Sequence, residues 1–168
     1  RLAVLLRGGP ANAQAGPIRI IVSLRAGGGV DTMARFLAQR LGQVLGRSVF
    51  VENRPGASGT IAAKTVINAP RAQTTLLAGG NQEITIAPHL INSPGYQPLE
   101  SLQPLMQVGT VPSVLVAPPG ADASEEALVR KLRSAAGVAI GTPGQCTPMH
   151  IALQDLAAQT KGTLLHVP

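Results

Sequence analysis

The stretch Ile18-Arg19-Ile20-Ile21-Val22-Ser23-Leu24-Arg25-Ala26-Gly27-Gly28-Gly29-Val30-Asp31 decides the fold class. Its first five residues are mostly β-branched and read as a strand. Three glycines follow, then an acidic residue. From Thr32 to Leu45 apolar side chains recur at Met33, Leu37, Leu41 and Val44, a helical spacing, and Gly46 supplies a terminating cap. A strand, a glycine loop and a helix in that order open a parallel α/β unit.

The same alternation continues outward. Val49-Phe50-Val51 reads as a short strand, and Arg54–Gly59 as a turn into a helix from Thr60 to about Asn68. Thr74–Ala78 is a third strand, Gly79-Gly80-Asn81-Gln82 a loop, and Glu83–Ile91 a short helix before the loop Asn92–Pro98. Leu105–Gly109 and Ser113–Ala117 read as strand material split by Pro112. Beyond Pro118-Pro119-Gly120, Ser124 caps a helix running to about Ala136, with Glu125 and Glu126 in its first turn. Val138-Ala139-Ile140 is a strand, Gly141–Thr147 a polar loop, Met149–Thr160 a helix and Leu164–Val167 a last strand. The pattern predicts a parallel sheet, whose ligands sit at the carboxyl ends of strands against helix N-termini.

Composition narrows the function. The chain has 168 residues, enough for one domain or a little more. Apolar residues make up 45% and charged residues only 13%, which excludes a disordered chain. Aromatic residues are Phe36, Phe50 and Tyr96 alone, too few for a stacking platform on single-stranded nucleic acid. The net charge is +6, yet the cations are dispersed, and the one cluster, Arg130-Lys131-x-Arg133, closes a helix where the dipole favours it. No nucleic-acid partner is expected, and the mild positive charge suits the steering of small anions.

Residues 1–16, RLAVLLRGGPANAQAG, pair a basic start and a short apolar run with an Ala-x-Ala pattern, and read as the remnant of a signal peptide. A periplasmic location follows, and the single Cys146 is compatible with it. No stretch is long and apolar enough for a transmembrane helix.

Three loops carry candidate chemistry. The first, Leu24, Arg25, Ala26, Gly27, Gly28, Gly29 and Asp31, lies between strand and helix, where free N–H groups attract anions. It is neither a P-loop nor a dinucleotide fingerprint, and a tight strand-to-helix turn reads equally well. The second, Gly141–Thr147, offers the hydroxyls of Thr142 and Thr147 and the backbone of Gly144 in an equivalent position, with N-capping by Thr147 as the plainer reading. Two such loops could grip one anionic group from opposite sides. The third, Gly80, Asn81 and Gln82, offers amides to a carboxylate, or simple turn chemistry. His89, His150 and His166 lack metal-ligand spacing, and no nucleophile, base or carboxylate pair converges, so neither an enzyme nor a metal or other cofactor is expected.

From Pro17 to Pro168 the sequence resembles the Bug family, the extracytoplasmic substrate receptors of tripartite tricarboxylate transporters. The most specific match is Val51-Glu52-Asn53-Arg54-Pro55-Gly56-Ala57-x-Gly59. The Gly27-Gly28-Gly29-x-Asp31-x-x-Ala34-Arg35 loop and helix, Leu76-Leu77-x-Gly79, Pro88-x-Leu90, Tyr96-x-Pro98-Leu99 and Gly141-Thr142-Pro143-Gly144 with Thr147 and His150 accompany it. The resemblance implies a two-lobed periplasmic binding protein of type II fold. It also implies a di- or tricarboxylate or acidic amino acid held between the lobes by backbone N–H groups, and delivery to membrane permease subunits by a monomer. Ser23-Leu24-Arg25-Ala26 departs from the family's Pro-aromatic-x-Pro and places a cation at the loop. Gln145 and Cys146 stand where small residues are usual, and a side chain at Cys146 opposes a left-handed backbone.

Residues 17–112 are expected to form the first lobe, mostly present, and 113–168 the start of an incomplete second lobe. His166-Val167-Pro168 matches a stretch well before the end of a family member, so a truncated chain with exposed strand edges is expected. Two alternatives stand beside the receptor: an inactive fragment of one, and a carboxylate sensor acting on a signalling protein.

Overall fold

The structure, a computed structural model, describes residues 16–91 and 94–168. The expected signal-peptide remnant, 1–16, lies outside the described residues except for Gly16.

The first half is a three-stranded parallel sheet in the order β2-β1-β3, with β1 at Ile18–Val22, β2 at Val49–Asn53 and β3 at Thr75–Ala78. Ile20 of β1 lies opposite Val51 and Leu76, and Val22 opposite Asn53 and Ala78. A central parallel strand is covered on both faces, so it tolerates a continuous apolar run. Ile20, Ile21 and Val22 are accordingly 1%, 0% and 0% exposed. Burial of each such side chain contributes about 2 kcal/mol.

Helix α1 (Gly29–Leu45) covers one face. Its small residues Ala34 and Ala38 lie against Ile20 and Val22, with Val30 and Leu41 alongside. These alanines, rather than the expected Met33–Val44 stripe, form the buried line, and Val44 is 81% exposed. Small side chains let the helix approach the sheet closely, which sets its rotation. The helix also starts three residues earlier than expected, because Gly28 is the extended N-cap and its carbonyl accepts the Thr32 N–H at 2.9 Å. Gly46 ends it in the left-handed region, at φ 60°. Helix α2 (Thr60–Ile67) covers the other face with Ala62 and Ala63, both fully buried. After β3, a π-type turn over Gln82–Ile86 runs into α3 (Ala87–Leu90), and α4 (Pro98–Ser101) is a single turn.

The expected strands at Leu105–Gly109 and Ser113–Ala117 are not formed. Leu105, Met106, Val114 and Val116 are all exposed, and none of the described strands runs beside them. A β conformation is stabilised by its ladder, and Pro104 and Pro112 remove amide donors as well. The segment does pass the start of α1, since a Cβ on Gly109 would stand 3.1 Å from Met33 Cε.

The second half is a βαβ unit. Helix α5 (Glu125–Leu132) precedes β4 (Val138–Gly141), α6 (Pro148–Thr160) and β5 (Leu164–Val167), and β4 pairs with β5 in parallel. Ser124 caps α5 as expected, its Oγ accepting the Ala127 N–H at 3.2 Å. The helix stops at Leu132 rather than Ala136, because the Leu132 carbonyl accepts the Thr163 N–H at 2.7 Å. Gly162 packs directly on Leu132, where a Cβ would lie only 2.7 Å from the leucine Cβ.

Candidate functional site

The loop after β1 is shaped from below by Asp31. This residue is 3% exposed in the first turn of α1. Its Oδ2 accepts the Gly27 N–H at 2.9 Å and Arg35 Nε at 3.0 Å, while Oδ1 accepts from Asn53 Nδ2 at 2.9 Å. Asn53 Nδ2 also donates to the Leu24 carbonyl at 3.0 Å, and Arg35 donates to Asn53 Oδ1 at 3.0 Å. The Arg35 guanidinium, then the Gly27 amide, then Asn53 hold the Asp31 carboxyl well below the usual carboxylate range. Both Asp31 oxygens are therefore committed to the protein, and so is the Gly27 N–H. Leu24 is half-buried, whereas Arg25, Ala26, Gly27, Gly28 and Gly29 are exposed. Arg25 makes no ion pair among the described residues. The first-turn amides of α1 have no intrahelical acceptor.

The signature around Asn53 is a second brace. Glu52 Oε2 accepts from Arg19 at 2.6 Å and Oε1 from Arg54 Nε at 2.6 Å, and Arg19 first, then Arg54, hold the Glu52 carboxyl below its ordinary value against the opposing effect of burial. Beyond Pro55 the chain turns through three consecutive left-handed residues, Ala57 (φ 45°), Ser58 (φ 51°) and Gly59 (φ 83°). Such strain in non-glycine residues costs about 1 kcal/mol or more each and concentrates at functional sites. Sequence reasoning gave this turn no role.

The loop after β3 is organised by a residue that sequence reasoning also passed over. Glu83 is fully buried. Its Oε1 accepts the Gly80 N–H at 2.8 Å, and its Oε2 has no partner among the described residues. The carboxyl fits only because two glycines face it: a Cβ on Gly79 would lie 1.6 Å from Oε1, and one on Gly59 2.6 Å from Oε2. Burial pushes its pKa up to about 7 against the pull of the backbone amides and Ser23. Tyr96 donates its hydroxyl to the Glu83 carbonyl at 2.6 Å. Of the predicted residues here, Asn81 is exposed, whereas Gln82 is buried and its Nε2 donates to Ser23 Oγ at 3.4 Å. Asn81 and Gln82 begin the helical stretch instead of lying in the loop. One sequence signal marked Glu83: a lone acid between Gly79-Gly80 and a stretch with the apolar residues Ile84, Ile86 and Ala87.

The loop after β4 caps α6. Thr147 Oγ1 accepts the His150 N–H at 3.3 Å and donates to the Gly144 carbonyl at 2.9 Å, so the capping reading describes it. Thr142 Oγ1 lies 2.6 Å from His166 Nε2 and accepts the Gly144 N–H at 3.3 Å. Cys146 adopts φ 55° despite its side chain, and its N–H is donated to His150 Nδ1 at 3.2 Å. Ser58 donates to the Gln145 carbonyl at 3.3 Å, which ties the strained turn before α2 to this loop. No hydrogen bond among the described residues joins the 24–29 loop to the 142–147 loop directly. The described residues hold no group of three or more His, Cys, Asp or Glu placed for a metal ion, and none of their helices is long and apolar enough to cross a membrane. A shallow hollow on α5, lined by Glu125, Glu126, Val129, Arg130 and Arg133, involves none of these loops.

The model of the family described as "Tripartite tricarboxylate transporter family receptor" matches residues 33–168. The chain belongs to this receptor family. A UPF0065 protein of Bordetella pertussis is 30% identical over 99% of this chain and 53% of its own length. Protein BugT of the same organism is 41% identical over 61% of this chain and 32% of its own. The chain spans about half the length of the curated relatives that match nearly all of it. Among solved structures, a periplasmic transporter aligns with TM-score 0.74 at 23% identity, covering 93% of this chain and 53% of that one. The periplasmic binding protein BugD aligns with TM-score 0.66 at 24% identity, covering 90% and 51%. The R. palustris protein Rpa4515 with adipate aligns with TM-score 0.73 at 22% identity, covering 94% and 53%. The fold is thus the α/β fold of periplasmic binding proteins, about half of it, and the Bug resemblance read from the sequence is borne out. The family is one of receptors rather than enzymes.

Proposed function

We propose that this chain is the ligand-binding part of an extracytoplasmic solute receptor that takes a small carboxylate and passes it, unaltered, to the permease subunits of a tripartite transporter. The observation that carries the reading is the pair of βα loops, 24–29 and 142–147, each placed at the carboxyl end of a parallel strand and against a helix N-terminus. The 79–82 loop follows β3 at the same end of the first sheet. Membership of the receptor family supports the same reading, as does the adipate of the R. palustris relative in structure.

In this arrangement Arg25, Gly28 and Gly29 face the acid group from the first loop, with Leu24, Ala26 and Gly27 shaping the approach. Asp31 acts from beneath by fixing the Gly27 amide. Gly80 and Asn81 border the site, and Gln82 holds Ser23. Thr142, Gly144 and Thr147 set the backbone of the opposing loop. Residues 17–112 and 113–168 belong to the two lobes, the receptor acts as a monomer, and export places it in the periplasm. The test is thermal unfolding of the 168-residue chain against adipate, succinate, citrate and glutamate. A rise in Tm with at least one of them at millimolar concentration is expected. A flat response across the whole panel would remove the carboxylate reading.

A further inference from the structure

Two imidazoles hold the two ends of the 142–147 loop. At one end Thr147 and His150 cap α6 reciprocally: Thr147 Oγ1 accepts the His150 N–H, and His150 Nδ1 reaches back to accept the Cys146 N–H at 3.2 Å. This has the logic of a capping box, in which Glu or Gln normally does the reaching back. At the other end His166 Nε2 stands 2.6 Å from Thr142 Oγ1, the hydroxyl that accepts the Gly144 N–H. The two rings stack on each other, with centroids 4.0 Å apart and planes 24° from parallel.

We propose that His150 is a positioning residue of the 142–147 loop, holding it through the Cys146 N–H only while its ring is uncharged, so that the stacked His150–His166 pair makes the loop's shape depend on protonation. The inference rests on the reading that this loop takes a carboxylate. An imidazole accepts a hydrogen bond only through an unprotonated nitrogen. The observed bond therefore requires the neutral ring with its hydrogen on Nε2, and the Gln154 side-chain amide, whose nitrogen lies 3.3 Å from that atom, accepts this hydrogen only with its oxygen turned toward the ring. A proton added at Nδ1 sets two donors face to face. The Cys146 N–H then loses its acceptor, and nothing offsets the left-handed φ of 55° at this non-glycine residue.

The titratable groups against the pair are Cys146 from the loop, His150 from α6 and His166 from β5, and Gln154 is uncharged. Burial, and then the neighbouring His150, hold the His166 ring below its ordinary imidazole value. A cation on either ring is thus felt by the other; the Thr142 hydroxyl donates to the Gly144 carbonyl at 3.1 Å and is free to accept from His166 Nε2, so the end of the loop that depends on a neutral ring is the one held by His150.

The test is an NMR titration of the 168-residue chain between about pH 5 and pH 8, following the His150 ring nitrogens and the Cys146 amide. The Cys146 amide is expected to move with the His150 midpoint. In His150→Asn, which keeps an uncharged acceptor near the Nδ1 position, the same amide is expected to stay still. Calorimetry with adipate is expected to show binding roughly two- to tenfold weaker at about pH 6 than at about pH 8, with the difference abolished in H150N. A Cys146 amide that does not move in the wild type, or that moves equally in H150N, overturns the proposal. If adipate does not bind at either pH, the reading of its site fails, while the amide titration still decides the role of His150.

Discussion

The Asn53 side chain binds the buried Asp31 carboxylate, Nδ2 to Oδ1 at 2.9 Å, and through the same nitrogen holds the Leu24 carbonyl at 3.0 Å. One amide at the end of β2 thereby fixes both the floor and the entrance of the loop after β1. The specific part of the Val51–Gly59 signature is explained by this geometry: Asn53 braces the first loop, Glu52 joins Arg19 to Arg54, and the following turn reaches Gln145.

Asp31→Asn is expected to lower the urea midpoint at neutral pH, because Arg35 and the Gly27 amide both lose an anionic acceptor. The folded Asp31 carboxyl is depressed, so its contribution is present above the unfolded value of about 3.9 and fades as the pH falls through the folded value. The gap between wild type and D31N should therefore narrow in strong acid. An equal gap at neutral and very low pH would mean that packing, not charge, explains the loss. Asn53→Ala should couple to D31N rather than add to it.

Glu83 predicts the opposite pH response. Its folded pKa is raised from 4.5 to about 7, so the folded state holds a proton that the unfolded chain releases. The stabilisation is complete below the unfolded value and is lost as the pH rises through the folded one, a decline of about 3 kcal/mol. Glu83→Gln should flatten that decline and leave the variant more stable than the wild type above neutrality. Denaturant melts at a series of pH values check it, and a wild-type profile flat across this range would contradict it.

Gly79→Ala is expected to destabilise by about 1–3 kcal/mol, since its Cβ would lie 1.6 Å from the Glu83 carboxylate. Truncating the acid frees that space. In a Glu83→Ala background the same glycine substitution should cost much less, and strict additivity of the two changes would refute the contact.

Much of this fold was legible in the sequence because its cues are local. The β-branched run 18–22, Gly46 as a left-handed cap, and Ser124 and Thr147 as N-caps each act within a few residues. The errors lie where distant partners decide. Leu105–Gly109 and Ser113–Ala117 have strand composition but no ladder beside them among the described residues. Asp31, in the first turn of α1, turns inward to meet Asn53, 22 residues away. Glu83 was hidden for the same reason: its burial depends on glycines at 59 and 79 that become neighbours only in the folded chain. The candidate loops stand between strand ends and helix starts as expected, but the hydrogen bonding within them was not legible. Asp31, Gln82, Thr142 and Thr147 bind the protein itself.

Thr147→Ala should cost about 1 kcal/mol of stability and loosen the 142–147 loop, and Thr147→Ser should restore most of both. The hydroxyl performs two tasks, accepting the His150 N–H and donating to the Gly144 carbonyl. Amide exchange at Gly144 and Cys146 reports the loop separately from global unfolding. Equal exchange in T147A and the wild type would leave Thr147 a helix cap with no hold on the loop.

Arg25 separates the two ways of holding an acid group. It is the one cation of the 24–29 loop, it is exposed, and it makes no ion pair among the described residues. If it pairs with the ligand, Arg25→Gln should weaken adipate binding by about 1.5- to 5-fold, the range for an exposed ion pair. The salt dependence should shrink along with it, because screening acts on that pair. Unchanged affinity and unchanged salt dependence would assign the carboxylate to backbone amides alone, and Arg25 would then serve only to steer anions toward the loop. Measuring both quantities by calorimetry at low and high ionic strength distinguishes the two, since steering alters the association rate more than the equilibrium.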